Sequence, residues 1–229
     1  MKRIGLIGGI SWVATSAYYR QLNMEVARRL GGNASVDLVL RSLDFSEVLS
    51  HADNPERIAR MMQDAADALV GAGAEILAVG SSTGHKFFSG AVESAVAFLH
   101  IADVIRDYLY KNEIQRIGVL GTKFILNDGF LLDRVNADAA FDIMVPKEED
   151  ISRLHGIIID EIARQDVAAQ SLEHLHRMVS SFEREGAAAV LLGSTELWCA
   201  FQGVTASLPT IDTAEIHSKA LIDLALAED

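Results

Sequence analysis

Residues 73–86 read GAEILAVGSSTGHK, and residues 186–198 read GAAAVLLGSTELW. Each stretch runs from a helix-ending glycine through a short apolar strand to a glycine followed by small hydroxyl residues that open a new helix. The second lies 113 residues after the first, and a further pair repeats at the same offset: RIGLIGGISW from Arg3 and RIGVLGTKFI from Arg116. Two independent matches at one offset predict a duplicated α/β unit. Ligands of open α/β sheets sit beyond the carboxyl ends of the strands, where backbone N–H groups and helix dipoles attract anions. The two hydroxyl-rich turns are therefore expected to face each other across a central cleft.

Working outward, the first half reads as strands over 4–7, 36–40, 76–79 and 97–101. Between and after them come helices over 11–30, from Pro55 to the stop at Gly71 and Gly73, from about His85, and over 102–110. The strand over 36–40 reads as buried, and Met61 and Met62 read as core filler. The second half repeats the plan, with strands over 117–120, 141–145, 188–192 and 210–211, and helices over 148–164, 167–185 and 214–226. The expected fold is α/β, with two pseudo-symmetric Rossmann-like lobes, each a parallel four-stranded sheet flanked by helices. The lobes comprise residues 1–98 plus 209–229 and residues 99–208, because the last helix is expected to return to the first lobe.

A chain of 229 residues with 50% hydrophobic and 23% charged side chains can build a proper core. Its formal net charge of −12 argues against nucleic acid or an anionic membrane as partner, since both require a basic patch. The single cysteine, Cys199, leaves no internal disulfide or multi-cysteine metal site and fits a reducing cytoplasm. Neither a signal-peptide core nor an apolar run of membrane-spanning length is present in the sequence.

Gly5, Gly8 and Gly9 follow the first strand as G-x-x-G-G, which lacks the order of a dinucleotide fingerprint, and no P-loop pattern occurs. His174 and His176 stand two apart on a predicted helix and so face different ways, which makes them solvated surface histidines and not a metal pair. No metal site is expected. Ser81, Ser82, Thr83, Ser194 and Thr195 are all good N-caps, but two such turns related by duplication, with Thr122 at the equivalent end of the fifth strand, point to a small anionic ligand. Lys86 and Lys123 lie just beyond these turns and can either neutralise a second acidic group or remain solvated. His85 reads equally as a ligand contact or as a partner for the backbone beside its turn.

At these residues the chain resembles the cofactor-independent aspartate/glutamate racemase family. The likeness covers nearly the whole length: IGLIGGISW with Thr15, Tyr18 and Tyr19, LDF at 43–45, STGHK at 82–86, FLHIAD at 98–103, GVLGTK at 118–123, GSTEL at 193–197 and IDTAEIH at 211–217. It implies a homodimer of two-lobed α/β chains without pyridoxal phosphate, binding an amino acid or dicarboxylate at the lobe interface. The carboxylate-holding residues it implies are Ser11, Ser81, Ser82, Thr83, Thr122 and Thr195.

The family's chemistry uses two thiols, one on each face of the substrate α-carbon, as base and acid. Aligned with its motifs, the first thiol position matches Gly80 and the second matches Ser194, so both thiols are replaced. Cys199 belongs to the following helix and is no substitute. Three outcomes stay open: a racemase-family protein with altered proton transfer through Ser194 or His85, another reaction at Cα such as decarboxylation, or a carboxylate-binding protein without catalysis.

Overall fold

The computed structural model describes residues 1–88, 90, 96–203 and 206–227. The chain folds as two compact units, Met1–Val104 with Ala214–Asp229, and Ile105–Thr213. Unit 1 contains β1 (Ile4–Gly8), α1 (Trp12–Leu30), β2 (Leu38–Ser42), α2 (Phe45–Ser50), α3 (Pro55–Gly71), β3 (Ile76–Val79), β4 (Ala97–Phe98) and the start of α4 (Ile101–Lys111). Unit 2 contains β5 (Arg116–Leu120), α5 (Lys123–Asn127), α6 (Leu132–Val135), β6 (Asp142–Met144), α7 (Glu148–Gly156), α8 (Ala169–Arg184), β7 (Ala189–Leu192), α9 (Trp198–Phe201) and β8 (Thr210–Asp212). The last helix, α10 (Thr213–Leu226), belongs from Ala214 onward to unit 1.

Each unit holds one fully parallel four-stranded sheet, in the orders β2-β1-β3-β4 and β6-β5-β7-β8. In unit 1 the period of two along each strand sorts side chains onto two faces. Ile7, Leu77 and Val79 join Met62, Ala65 and Leu69 of α3 in one cluster. Ile4, Leu6, Ile76 and Ala78 join Tyr18 and Leu22 of α1 with Leu221, Ile222 and Ala225 of α10 in the other. The return of α10 thus completes one face of the first sheet, and the Lys2 N–H bond to Ala225 O at 2.8 Å fastens its end. In unit 2 a Cβ on Gly118 would come within 2.4 Å of the Phe182 ring, so α8 reaches its packing distance over β5 only because that residue is glycine.

Several boundaries differ from the sequence reading. The expected buried strand over 36–40 is β2, shifted to Leu38–Ser42 and partly exposed, because it forms the edge of its sheet. The helix expected over 148–164 is α-helical only to Gly156 and continues as a π-turn, Ile157–Glu161, and a 3-10 turn, Ile162–Arg164. Glu161 there accepts from Ala168 N–H at 3.0 Å and Ser171 Oγ–H at 2.8 Å, tying the irregular stretch to the start of α8. The helix expected from about His85 is, where described, one 3-10 turn, Thr83–Lys86, and its continuation through 91–95 lies outside the described residues. His174 is buried, correcting its reading as a solvated surface residue, because it lies on the face of α8 that also buries Leu175, Met178 and Phe182.

Candidate functional site

The two hydroxyl turns are built by the same backbone device. In unit 1, β3 pairs in parallel with β1, and Gly80 N–H donates to Ile7 O at 2.8 Å just beyond the last pair. In unit 2, β7 pairs with β5, and Gly193 N–H donates to Leu120 O at 2.7 Å. The chain leaves each sheet here, and Ser81-Ser82-Thr83 and Ser194-Thr195-Glu196 follow at equivalent places.

This register revises the place of the first thiol position. Gly80 is the counterpart of Gly193, and Ser81 is the counterpart of Ser194. A Cβ on Gly80 would meet Ile7 O and Leu6 Cδ1 at 3.4 Å and Tyr18 Cδ2 at 3.6 Å, so a side chain at 80 points into the interior of its own unit. A Cβ on Gly193 would likewise meet Leu120 O at 2.9 Å and Val119 Cγ1 at 3.2 Å. Neither glycine position presents a group to a ligand, whereas the serine after each leaves the sheet. Matching Gly80 to a thiol is therefore one residue out of step with the internal repeat.

Ser11, Ser81, Ser82, Thr83 and His85 belong to unit 1, and Thr122, Ser194 and Thr195 belong to unit 2. Ser194 Oγ accepts from Thr122 N–H at 3.0 Å, which joins the turn after β7 to that after β5. Ser81 Oγ accepts from Gly84 N–H at 3.3 Å, closing its own turn. Ser82 Oγ and Thr195 Oγ1 differ from both. Each belongs to a residue only 1% exposed, and neither has a hydrogen-bond partner among the described residues. Ser11 is buried at the end of β1, and its carbonyl accepts from both the N–H and the hydroxyl of Thr15. Lys86 and Lys123 are exposed, with Nζ 5.7 Å and 5.3 Å from the ring centroids of Phe87 and Phe124.

His85 is held by the backbone. Its Nδ1 lies 2.8 Å from Ser81 O, which can only accept, so Nδ1 carries the proton. Nε2 then accepts from Ile101 N–H at 3.3 Å. Both ring nitrogens are thus spent inside unit 1, linking the turn to the start of α4. Beside it stand His100, 4.7 Å away between ring centroids, and His217, at 5.7 Å. His217 donates from Nε2 to Leu99 O at 3.1 Å and accepts at Nδ1 from Tyr18 Oη at 2.7 Å. Burial pushes its pKa down to about 4, the Leu99 hydrogen bond opposes this, and His100 adds to it. This aromatic support was not read from the sequence, although His217 and Tyr18 lie in quoted motifs; partners 199 positions apart leave no local signal. Thr213 was missed likewise, and its hydroxyl bonds Leu192 O at 2.7 Å beneath the second turn.

Among the described residues no group of three or more His, Cys, Asp or Glu side chains is placed to hold a metal ion, and no helix is long and apolar enough to cross a membrane.

Two parallel α/β units, each ending its central strands in a buried turn of hydroxyl residues, define a duplicated protein of the racemase architecture. Residues 7–221 match the Asp/Glu/Hydantoin racemase family, and the chain belongs to it. A solved structure of a candidate Asp/Glu racemase from Yersinia pestis is 32% identical, with 99% of this chain and 100% of that one covered and a TM-score of 0.87. An aspartate racemase homologue from Pyrococcus horikoshii is 28% identical over 99% of this chain and 100% of its own, with a TM-score of 0.79. At 21% identity, the aspartate racemase of Picrophilus torridus shares the fold, covering 98% and 94% of the two chains at a TM-score of 0.79.

Proposed function

We propose that this chain binds a small amino acid or dicarboxylate at its buried hydroxyl turns and does not racemise it by two-thiol chemistry. The observation that carries the reading is the pair Ser82 Oγ and Thr195 Oγ1, buried in equivalent turns without a hydrogen-bond partner among the described residues. A buried hydroxyl left unsatisfied costs about 1–3 kcal/mol, and a ligand carboxylate relieves that cost by accepting from it. His85 is a positioning residue here, because its ring nitrogens are committed to Ser81 O and Ile101 N–H.

Racemisation in this family's manner needs a base and an acid on opposite faces of Cα. Serines occupy both equivalent places, Ser81 and Ser194. The one backbone donor to Ser194 Oγ stabilises a charged oxygen by about 1.5–3 kcal/mol, or about one to two pKa units. That is too little to make a serine hydroxyl act as a thiol does. The proposal includes a homodimer, supported by Trp12 and Tyr19, each more than half exposed on α1, and a cytoplasmic location, supported by the lone Cys199.

The test pairs thermal unfolding with aspartate, glutamate and their deaminated dicarboxylates against α-proton exchange followed by NMR in deuterated water. Stabilisation is expected to follow RT ln(1 + [L]/Kd), about 2.7 kcal/mol at a hundredfold excess over Kd, with no exchange. Failure of every such compound to stabilise the protein overturns the binding claim. Exchange by the unaltered protein overturns the claim that two-thiol replacement silences it.

A further inference from the structure

Unit 2 holds a cavity of about 280 Å³ where the start of α7 meets α8, and it shares no lining residue with the turns at 121–123 and 193–196. The volume is near the lower end for small-molecule sites, so a compact ligand is required. His174 lines it, 7% exposed, and its Nε2 has no hydrogen-bond partner among the described residues. Asp150 Oδ1 stands 3.5 Å from that nitrogen, at the outer limit of hydrogen-bond reach. Burial holds the imidazole below its usual pKa, Arg153 and Arg177 act the same way, and Asp150 opposes them. The Asp150 carboxylate therefore faces a neutral ring at pH 7.

Besides Asp150 the lining carries Glu149, exposed in the first turn of α7, and four further charged side chains that sort into two kinds. Glu185 accepts from Ser181 Oγ at 3.1 Å, and Arg184 Nε donates to Ser180 O at 3.2 Å, so both are engaged within α8. Lys147 makes no ion pair among the described residues, and Arg177 has only a loose one, with Nη1 3.8 Å from an exposed Glu173 carboxylate. Met178 and Phe182, both buried, supply an apolar wall.

We infer that this cavity is a second ligand site, for a small zwitterionic amino carboxylate with an apolar side chain. An ammonium group between Asp150 and His174 donates to the carboxylate and to Nε2 of the tautomer protonated at Nδ1, giving each the partner it lacks. The ligand carboxylate meets Lys147 and Arg177, and its alkyl group lies on Met178 and Phe182. A simple anion would leave Asp150 and His174 unmatched, and a simple amine would leave the two cations unmatched.

Protein labelled with ¹³C-methyl methionine provides the readout, with the Met178 resonance assigned by Met178→Leu and L- and D-leucine as probes. The expected result is a saturable shift of that resonance by at least one leucine enantiomer. Isocaproate, which lacks the ammonium, and isoamylamine, which lacks the carboxylate, should each bind at least about tenfold more weakly, since a charge-assisted hydrogen bond is worth about 1.5–3 kcal/mol. Asp150→Asn and Arg177→Gln, both at partly or largely exposed side chains, should weaken leucine binding by about tenfold or more while leaving aspartate stabilisation unchanged. The inference is overturned if leucine leaves Met178 unmoved, if isocaproate binds as tightly as leucine, or if neither variant lowers the affinity. It is also overturned if the leucine effect disappears in Thr195→Val while surviving Asp150→Asn.

Discussion

Placing cysteines at 80 and at 81 separates the two readings of the first thiol position. At 80 the new Cβ fits, with its nearest neighbours at 3.4 Å, but the sulfur beyond it is aimed at Leu6 and Tyr18, both fully buried. Overpacking a core in this way costs about 1–3 kcal/mol. At 81 the sulfur replaces an oxygen in place, and the loss is at most the 3.3 Å bond from Gly84 N–H, about 0.5–1.5 kcal/mol. With about 2–4 °C of melting temperature per kcal/mol in a chain of this size, Gly80→Cys should fall by roughly 2–12 °C and Ser81→Cys by roughly 1–6 °C. Activity should separate them further. Ser81→Cys with Ser194→Cys should gain α-proton exchange with aspartate or glutamate, measured by loss of the α-proton signal in deuterated water. Each acid or base is worth about 10²- to 10⁴-fold, and the two act as a unit, so either single variant should fall well short of the pair. Gly80→Cys with Ser194→Cys should exchange no faster than Ser194→Cys alone. Exchange by the position-80 pair and not by the position-81 pair would refute the register equivalence and restore Gly80 as the thiol place.

Three further outcomes follow from the same geometry. His217, with its pKa near 4, protonates less readily folded than unfolded, where about 6.5 applies. Its contribution is thus complete above pH 6.5 and is lost as pH falls toward 4, at up to roughly 1.4 kcal/mol per pH unit and about 3 kcal/mol in all. Denaturant unfolding from pH 7.5 to 4.5 should show a shallower pH dependence for His217→Gln than for the unaltered chain, and parallel profiles would count against it. Gly193→Ala should cost more stability than Gly80→Ala, because the first drives a Cβ to 2.9 Å from the Leu120 carbonyl while the second keeps ordinary contact distances; equal losses in urea titrations would contradict this. Tyr18→Phe removes the donor to His217 Nδ1 and should destabilise by about 1–3 kcal/mol, with a calorimetric change below about 0.5 kcal/mol arguing against that bond.

The duplication was legible because it is written twice in local patterns: β3 and β7, β4 and β8, and the bulk of α3 and α8 all recur at the 113-residue offset seen in the sequence. What escaped is set by tertiary context. Leu40 reads as core by hydrophobicity, yet it is 45% exposed because β2 has a neighbour on one side only. The motif alignment put a thiol place on Gly80, one residue out of step with the 113-residue offset, and the hydrogen bond of the Gly80 N–H to Ile7 O, matched by that of Gly193 to Leu120 O, shows both glycines still held to their sheets. The commitment of both His85 nitrogens depends on Ile101, sixteen residues away, and no periodicity encodes that contact. The burial of His174 was hidden for a simpler reason. Two histidines two apart on a helix do face different ways, but the sequence alone does not say which one is buried.

Unit 2 occupies one uninterrupted stretch of chain, Ile105–Thr213, whereas unit 1 is assembled from two pieces with that stretch between them. During synthesis from the N-terminus, every residue of the second sheet and its helices has been made before Leu221, Ile222 and Ala225 of α10 exist to close the first sheet's open face. Until then Ile4, Leu6, Ile76 and Ala78 lack part of their cover. The order of birth along the chain is thereby the reverse of the order in which the two cores can be completed.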